Sequence, residues 1–325
     1  MHAIQIQSDA ERTLLWKPAP NPIPAVGEVL VDVHAAALNR ADLFQRAGKY
    51  PPPPGASEIL GLEIAGEISA LGKEVAGHQT GERVCALLPG GGYAERAAVP
   101  ADMLMPVPEG WDFEQAAAVP ECFLTGFVNF YMEAGLQPGE TVLVHGGASG
   151  VGTAAIQLAR ASGNPVFVTA GSSQKVACCE ALGAELAINY REHDFVDRVL
   201  AHTGGAGVDV IMDIVGGNYL QRNLTLLKAK GRLVLISTLG GARAEIDLRL
   251  LMGRRARIIG SVLRSRTLAE KIEIKQRFMQ RFWPLFHEGK LCPVIDSVFP
   301  IEQTGEAQQR MTENRNIGKI VLKVR

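Results

Sequence analysis

A run of glycines between a strand pattern and a helix pattern constrains the fold of this chain more than any other feature. In "TVLVHGGASGVGTAAIQLA", residues 141–159, apolar strand-like residues precede the glycines and a helical apolar period follows them. Glycine allows a tight turn and a close backbone approach, and the start of a helix offers unpaired N–H groups to an anion. This context predicts a strand–turn–helix unit that binds the pyrophosphate of a dinucleotide.

The glycines depart from the strict G-x-G-x-x-G pattern at one place. Gly147, Ser149 and Gly152 take the three glycine positions, so a serine replaces the central glycine, and Gly150 adds another. Gly147 can make the bend, the later glycines allow close packing, and Ser149 could add a hydroxyl group. The residues expected at the pyrophosphate are Gly147, Ser149, Gly150, Val151 and Gly152. The alternative is a structural turn that binds no ligand.

The end of the second strand pattern indicates which dinucleotide is bound. A site for NAD normally has an Asp or Glu there to hold the ribose 2′-hydroxyl, but "PVFVTA" is followed by "GSSQK", without a carboxylate. Ser172, Ser173 and Lys175, after Gly171, offer hydroxyl groups and a cation suited to a 2′-phosphate. NADPH is therefore the expected cofactor. Lys175 could instead open a solvated helix, and Tyr190 could either close over the adenosine end or cap a strand.

The chain divides into regions of different texture. Up to about Val119, short alternating runs punctuated by Pro and Gly favour a mainly β domain. From about Pro120, runs of Val, Ile and Leu alternate with helical stretches, which is typical of a parallel sheet covered on both faces. A final helix and strand are expected to return to the first domain. The predicted fold class is α/β, with a doubly wound Rossmann-type domain over residues 122–261 and a discontinuous, mainly β substrate domain over residues 1–121 and 262–325.

Composition and charge argue against several classes of function. The 325 residues have a formal net charge of -1, so no overall basic field attracts nucleic acid or anionic lipid. The five cysteines form no C-x-x-C pair, which argues against a disulfide framework and a zinc ribbon. The N-terminus lacks a signal-peptide pattern, and no apolar run has the length of a membrane span. We expect a cytoplasmic protein with no nucleic-acid or membrane partner.

Several motifs in order resemble the medium-chain dehydrogenase/reductase superfamily. They are the glycine run above, "ALNRADLFQRAGKYPPPPGASEILGLEIAG", "LLPGGGYAERAAVP", "AAAVPECFLTGF" and "NIGKIVL". Within the superfamily they are most similar to the zinc-free quinone oxidoreductases, especially the tumour-suppressor-inducible NADPH-dependent branch and its bacterial relatives. The resemblance covers essentially the whole chain and implies that the discontinuous domain is GroES-like.

The resemblance also shows which metal ligands this chain lacks. Zinc alcohol dehydrogenases of the superfamily have a Cys where this chain has Asn39 and a His where it has Leu62, together with a four-cysteine lobe absent here. Cys85, Cys122 and the scattered histidines offer no set of three or four ligands, and His145, inside a strand pattern, is expected to be a core or edge residue. We therefore expect a metal-free enzyme that holds an electron-poor acceptor against the nicotinamide for hydride transfer.

The resemblance implies roles for further residues. Asn39 would lie beside the nicotinamide and the substrate, Tyr50 would line an interdomain cleft, and Thr125 would contact the nicotinamide. The remaining cofactor wall would consist of Leu239, Gly240, Ser261 and Leu263. Alternatives stay open, since Asn39 and Asp42 could cap a helix, Tyr50 could anchor the proline-rich loop, and Thr125 could be an ordinary helix residue. Arg264 and Arg266 could meet acidic substrates or the cofactor, although solvated surface is favoured for both.

Three functions compete on this basis. The first is NADPH-dependent reduction of quinones or similar electron-poor carbonyl or enone acceptors. The second is 2-enoyl thioester reduction with Tyr50 as proton donor, and the third is a non-catalytic NADPH-binding structural protein. The balanced charge argues against an RNA-associated role. Relatives commonly form homodimers through the last strand of the nucleotide domain, here "ARIIGSV", and a homodimer is expected.

Overall fold

The computed structural model describes residues Met1–Arg325, which form two compact units. The first unit comprises Met1–Leu124 and Arg264–Arg325, and the second comprises Thr125–Leu263. The predicted fold class is confirmed, because a discontinuous, mainly β unit accompanies a unit built on a parallel sheet. One boundary between the units lies between Leu124 and Thr125, and the other lies between Leu263 and Arg264.

The chain contains fifteen strands and ten α-helices. The strands are β1 (His2–Ile6), β2 (Leu14–Pro18), β3 (Glu28–Ala37), β4 (Glu63–Leu71), β5 (Arg83–Leu87), β6 (Arg96–Pro100), β7 (Met105–Pro106), β8 (Val142–His145), β9 (Val166–Ala170), β10 (Leu186–Asn189), β11 (Val208–Asp213), β12 (Leu227–Leu235), β13 (Arg257–Gly260), β14 (Ile295–Pro300) and β15 (Lys319–Lys323). The helices are α1 (Arg40–Arg46), α2 (Phe113–Ala117), α3 (Pro120–Phe127), α4 (Gly150–Ala161), α5 (Ser173–Ala181), α6 (Phe195–His202), α7 (Tyr219–Leu226), α8 (Leu248–Arg254), α9 (Leu268–His287) and α10 (Thr304–Thr312). A π-helical turn, Val128–Glu133, extends α3, and 3-10 turns lie at Ala101–Met103 and Ile301–Gln303. No helix is both long and apolar enough to cross a membrane.

The first unit is organised around a seven-stranded sheet. Its strands lie in the order β14-β15-β3-β4-β5-β7, and β6 pairs with β3 beside this path. Strand β15 pairs antiparallel with β3, placing Val321 opposite Ala37. This pairing brings Lys319, at the start of β15, back to the chain segment that follows β3.

Helix α9 supplies an aromatic core to the first unit. Thr267 and Glu270 form a capping box at its start, which satisfies N–H groups that would otherwise lack partners. Phe278, Phe282 and Phe286 are at most 1% exposed, as their i, i+4 spacing predicts. These rings therefore belong to the core of the first unit.

The second unit is a doubly wound parallel sheet. Its strand order, β10-β9-β8-β11-β12-β13, is the order found in dinucleotide-binding domains, with the reversal between β8 and β11. Every neighbouring pair runs parallel. Apolar residues of β8, β9, β11 and β12 form one core cluster with those of α6 and α7. In such sheets ligands bind outside the carboxyl ends of the strands, next to the reversal.

Candidate active site

The turn after β8 is packed too closely to accept side chains. Gly146 has φ +72°, and a Cβ on Gly147 would lie 2.6 Å from the Cβ of Val168. A Cβ on Gly152 would lie 2.5 Å from the carbonyl oxygen of Gly147 and would also meet that of Gly146. Packing within the protein thus already requires these glycines, so the glycines alone do not indicate a ligand. A ligand site is indicated instead by the hydrogen-bonding groups that remain exposed at the turn.

The start of α4 leaves hydrogen-bond donors unused. Ser149 is the N-cap residue, and its Oγ accepts a hydrogen bond from the N–H of Gly152 at 3.0 Å. The N–H groups of Gly150 and Val151, the first two residues of the helix, have no partner in the protein. Two free N–H groups at the positive end of a twelve-residue helix fit a pyrophosphate. The residues present therefore suit a dinucleotide.

The residues expected at the adenosine end of the cofactor come together after β9 and β10. The N–H of Tyr190 donates to the carbonyl of Ala170 at 3.1 Å, and a Cβ on Gly171 would lie 2.6 Å from the Tyr190 hydroxyl. Ser172 caps α5 by accepting from the N–H of Lys175 at 3.3 Å. Ser173 is exposed, and Lys175 is partly exposed. No carboxylate occurs in residues 171–175.

The other expected wall residues of the second unit follow the ends of β12 and β13. Leu239 is 46% exposed. Gly240 donates its N–H to the carbonyl of Val215 at 2.7 Å, in the turn after β11. Ser261 and Leu263 follow β13 and are buried. All of them lie at the carboxyl edge of the sheet, the same edge as the glycine turn.

A buried polar chain beneath the glycine turn was not identified from the sequence. Nδ1 of His145 lies 2.9 Å from Oγ1 of Thr169, and its Nε2 lies 2.7 Å from Oδ1 of Asn223. Asn223 in turn donates to Oδ2 of Asp213 at 3.0 Å. Burial lowers the pKa of His145, so the ring is a neutral link. The sequence signal for these hydrogen-bonded side chains was a polar residue at or next to the end of an apolar strand, namely His145, Thr169 and Asp213.

The first unit contains a buried cluster of Asn39, Glu63 and Lys319. Nζ of Lys319 donates to the carbonyl of Leu38 at 2.7 Å, to Oδ1 of Asn39 at 2.7 Å and to Oε1 of Glu63 at 2.5 Å. Glu63 also accepts from Nδ2 of Asn39 at 2.9 Å and from the N–H of Glu121 at 2.8 Å. Burial is the largest influence and would by itself lower the pKa of Lys319, but the Glu63 charge, the hydrogen bond to Glu63 and the nearby Cys122 and Glu121 together raise it by more. Lys319 is therefore a fixed internal cation.

The hydrogen bonds of this cluster determine what Asn39 offers to a ligand. Both polar atoms of the Asn39 side chain are hydrogen-bonded to Lys319 and Glu63, and the residue is 7% exposed. The side chain that caps α1 belongs to Asp42, whose Oδ2 accepts from the Asn39 N–H at 2.7 Å. Thr125, in the second unit, is 7% exposed, and its carbonyl accepts from Asn129 at 2.7 Å.

Asp42 is a fully buried carboxyl group beside this cluster. Its Oδ2 accepts from the Tyr93 hydroxyl at 2.8 Å, and its Oδ1 accepts from the N–H of Gly61 at 3.2 Å. Burial raises the pKa of Asp42 to about 6, although the hydrogen bonds and the Lys319 charge oppose that rise. The group therefore titrates within the range of ordinary assay buffers.

The donors in this region do not fit a zinc site. Burial, with the nearby Glu63 charge, raises the pKa of the Cys85 and Cys122 thiols, whereas zinc binds thiolates. The Glu63 carboxylate is already paired with Lys319, and the neighbouring Leu62 offers no ligand atom. No group of three or more His, Cys, Asp or Glu side chains is placed to hold a metal ion.

Tyr50 lies against a buried arginine. Cζ of Arg264 is 5.2 Å from the centroid of the Tyr50 ring. Arg264 is only 6% exposed, so the interpretation of this side chain as solvated surface is wrong. Burial raises the pKa of Tyr50, and Glu121 adds to the rise against the opposing charge of Arg264. The phenol therefore stays protonated and can donate a hydrogen bond.

Comparison with known families identifies both parts of the chain. The family described as "Alcohol dehydrogenase GroES-like domain" matches residues 25–109. The family described as "Zinc-binding dehydrogenase" matches residues 150–281, which include the glycine turn.

Curated relatives match over nearly the whole chain. The human "Synaptic vesicle membrane protein VAT-1 homolog" is 34% identical over 324 residues, covering 94% of this chain and 81% of the relative. The "Quinone oxidoreductase" of Sus scrofa is 34% identical over 306 residues, covering 93% of this chain and 90% of the relative.

Solved structures agree with the fold. A structure described as an NAD-dependent alcohol dehydrogenase superposes with a TM-score of 0.86 at 31% identity and covers 100% of both chains. The CurK enoyl reductase superposes with a TM-score of 0.86 at 28% identity, covering 99% of this chain and 98% of the other.

Proposed function

The chain belongs to the medium-chain dehydrogenase/reductase superfamily, and on that premise we propose that it reduces quinones or similar electron-poor carbonyl or enone acceptors with NADPH. The chain is an oxidoreductase of a family that binds a nicotinamide dinucleotide. The quinone oxidoreductase relative supports the acceptor class. We further propose that the protein is a cytoplasmic homodimer that works without a metal ion.

The proposed use of NADPH rests on the residues at the ribose end of the nucleotide site. Where an NAD site has a carboxylate, this chain has Ser172 and Ser173 at the start of α5, followed by the partly exposed Lys175. Tyr190, 44% exposed, lies beside them over Gly171. A cation and hydroxyl groups favour a 2′-phosphate, because charge-assisted hydrogen bonds to phosphate are strong and no carboxylate repels it.

We assign the cofactor and the acceptor to different groups of the protein. The free N–H groups of Gly150 and Val151 would hold the pyrophosphate, and the bound cofactor would supply hydride. Asn39, Tyr50 and Thr125 are the proposed contacts of the acceptor and the nicotinamide. Of these, Tyr50 has a protonated hydroxyl group, which suits it to bind an acceptor oxygen. Positioning of this kind accelerates hydride transfer to an electron-poor acceptor without a Lewis acid.

The test is steady-state oxidation of NADPH and NADH by a panel of quinones, followed at the nicotinamide absorbance. We expect Lys175→Gln to raise the KM for NADPH about 10-fold, the effect of losing a charged hydrogen bond, and to leave the KM for NADH unchanged. Arg198→Gln, which removes an exposed cation from α6, is the matched control. Equal KM values for NADPH in the Lys175→Gln variant and the wild type would refute the assignment.

The CurK neighbour favours a second function, reduction of a 2-enoyl thioester. The protonated Tyr50 could then supply the proton that follows hydride transfer. Tyr50→Phe should abolish enoyl reduction under this alternative, but only lower quinone turnover under the main proposal. NADPH binding without turnover of either acceptor would instead support a non-catalytic, structural role.

A further inference from the structure

Arg264 is a buried cation whose hydrogen-bonding capacity is not fully used. Its Nε donates to the carbonyl of Pro89 at 2.8 Å, and its Nη2 donates to Oε1 of Gln45 at 2.7 Å. Its Nη1 is buried and has no hydrogen-bond partner. An unpaired buried donor on a charged group is costly, so a polar ligand atom is expected to satisfy it in some state of the protein.

The charge of Arg264 is also unpaired. Its two partners are neutral oxygens, and it forms no ion pair with a carboxylate. The carboxyl group of Asp42 is close enough to affect its pKa, but that carboxyl is hydrogen-bonded to Tyr93 and to backbone N–H groups. Nζ of Lys271 donates to the Arg264 carbonyl at 2.7 Å and adds a second positive charge nearby. The local field therefore favours negative charge on a ligand.

Tyr50 adds a second donor at the same place. Its ring lies over the guanidinium group, and its side chain is partly exposed. The hydroxyl makes no hydrogen bond within the protein, unlike the buried Tyr93 hydroxyl, which donates to Asp42. Arg264 and Tyr50 thus combine an unused N–H donor with an unused O–H donor.

We propose that Nη1 of Arg264, assisted by the Tyr50 hydroxyl, binds the acceptor oxygen that becomes negatively charged during reduction. This inference rests on the proposed function and narrows its substrate class to carbonyl compounds whose reduced form is an oxyanion, such as a hydroquinone anion or an enolate. Because the Tyr50 ring covers the guanidinium, the ring has to move aside when the acceptor binds. Hydrogen-bond donors aimed at such an oxygen in the transition state are a major source of rate enhancement.

The reaction balances as a two-electron reduction. A C–H bond of the dihydronicotinamide breaks, and the hydride forms a new bond to the acceptor, which oxidises NADPH to NADP+. The π-electron pair displaced from the acceptor collects on its oxygen, where Arg264 and Tyr50 donate hydrogen bonds. A proton from water then neutralises this oxygen. Arg264 itself stays protonated throughout, as arginine does in proteins.

The test uses 4-nitrophenolate as a probe of oxyanion binding and the neutral 4-nitroanisole as its matched analogue. Binding to the NADP+-loaded protein is measured by the change in probe absorbance. We expect the wild type to bind the phenolate about 10- to 100-fold more tightly than the anisole, which is the effect of a charge-assisted hydrogen bond. Arg264→Gln should lose this preference. Arg277→Gln, which removes an exposed cation from α9, should keep it, and an Arg264→Gln variant with unchanged preference would overturn the inference.

A second variant separates oxyanion binding by Arg264 from the structural role of Arg264 in holding Gln45. Gln45→Met removes the acceptor of Nη2 but leaves Nη1, so we expect the phenolate preference to persist. Loss of the preference in Gln45→Met as complete as in Arg264→Gln would overturn the inference, because Arg264 would then act only by holding Gln45. Arg264→Lys should restore part of the preference, since it keeps the charge.

The outcomes also distinguish this inference from the proposed function. Phenolate binding does not need turnover, so a protein that binds the probe through Arg264 but reduces no quinone would refute the proposed function alone. Quinone reduction with the same kcat in Arg264→Gln and the wild type would refute the inference alone. We expect kcat to fall about 100-fold in Arg264→Gln, as when an oxyanion donor is removed, with a much smaller change in KM.

Discussion

The two candidate sites differ in the chemical groups that form them, which are backbone N–H groups in one and buried side chains in the other. In the second unit, the glycine turn uses backbone N–H groups from one short stretch, and its side chains are small. In the first unit, the cluster of Asn39, Glu63 and Lys319 uses buried charged and polar side chains from segments 24 and 256 residues apart. A site made of backbone depends on local geometry, whereas a site made of buried charges depends on the pairing of every charge.

The largest expected effect comes from leaving one of those charges unpaired. Lys319→Met would leave the Glu63 carboxylate fully buried without a cation, and we expect it to lower the free energy of unfolding by about 3 to 5 kcal/mol. Urea denaturation measures the change. Lys323→Met, in the same strand, is the control, because Lys323 is 57% exposed in its pair with Glu114 and should cost less than about 1 kcal/mol.

A double variant sharpens this result. Lys319→Met combined with Glu63→Gln removes both charges, so it should be more stable than Lys319→Met alone. If Lys319→Met cost no more than Lys323→Met, the cluster would not depend on charge pairing, and the contrast between the two sites would fail.

The same contrast explains which parts of the molecule could be predicted from sequence. The glycine turn, the parallel strands and the absence of a carboxylate after β9 are local patterns, and each was identified from adjacent residues. The hydrogen bonds of Asn39 could not be predicted, because its partner Lys319 reaches it only through the pairing of β15 with β3. The burial of Arg264 could not be predicted for the same reason, since Gln45 and Pro89 cover it from distant segments.

The dependence of the first unit on buried charged groups can be tested through the pH dependence of its stability, because Asp42 is a buried carboxyl group. Because burial raises its pKa from 3.8 to about 6, the folded state binds a proton more tightly than the unfolded state does. The stability that this group contributes is therefore complete below pH 3.8 and is lost as the pH rises through about 6. Relative to Asp42→Asn, we expect the wild type to lose about 3 kcal/mol of unfolding free energy across this interval.

Asp296 provides a control, because its pKa is shifted in the opposite direction to that of Asp42. Two nitrogens of Arg310 and the N–H of Ile317 bond its carboxylate, and they lower its pKa although burial opposes them. Its contribution is present above the ordinary aspartate pKa and is lost as the pH falls. Urea titrations of Asp42→Asn and Asp296→Asn from pH 3 to 8 should therefore differ from the wild type with opposite slopes. A common slope would mean that the burial of Asp42 does not control its titration.

The smallest expected effect on stability belongs to the backbone site, where binding should be the more sensitive readout. Gly152→Ala places a methyl group against the carbonyl groups of Gly146 and Gly147, and overpacking of this kind costs about 1 to 3 kcal/mol. The methyl group would also shift the turn from which the pyrophosphate is held. We expect the Kd for NADPH, measured by fluorescence titration, to rise at least about 10-fold, the loss expected when one charged hydrogen bond is misaligned.

Gly253→Ala is the matched control in the same unit, because Gly253 lies inside α8 with open space around its Cα. That substitution should leave the Kd unchanged and stabilise the protein by about 0.5 to 1 kcal/mol. An unchanged Kd in Gly152→Ala would show that the turn binds no pyrophosphate and is only a structural connection. The proposed pyrophosphate contacts are backbone N–H groups, whose position a second substitution does not restore, whereas the charge balance of a side-chain cluster can be restored by a second substitution.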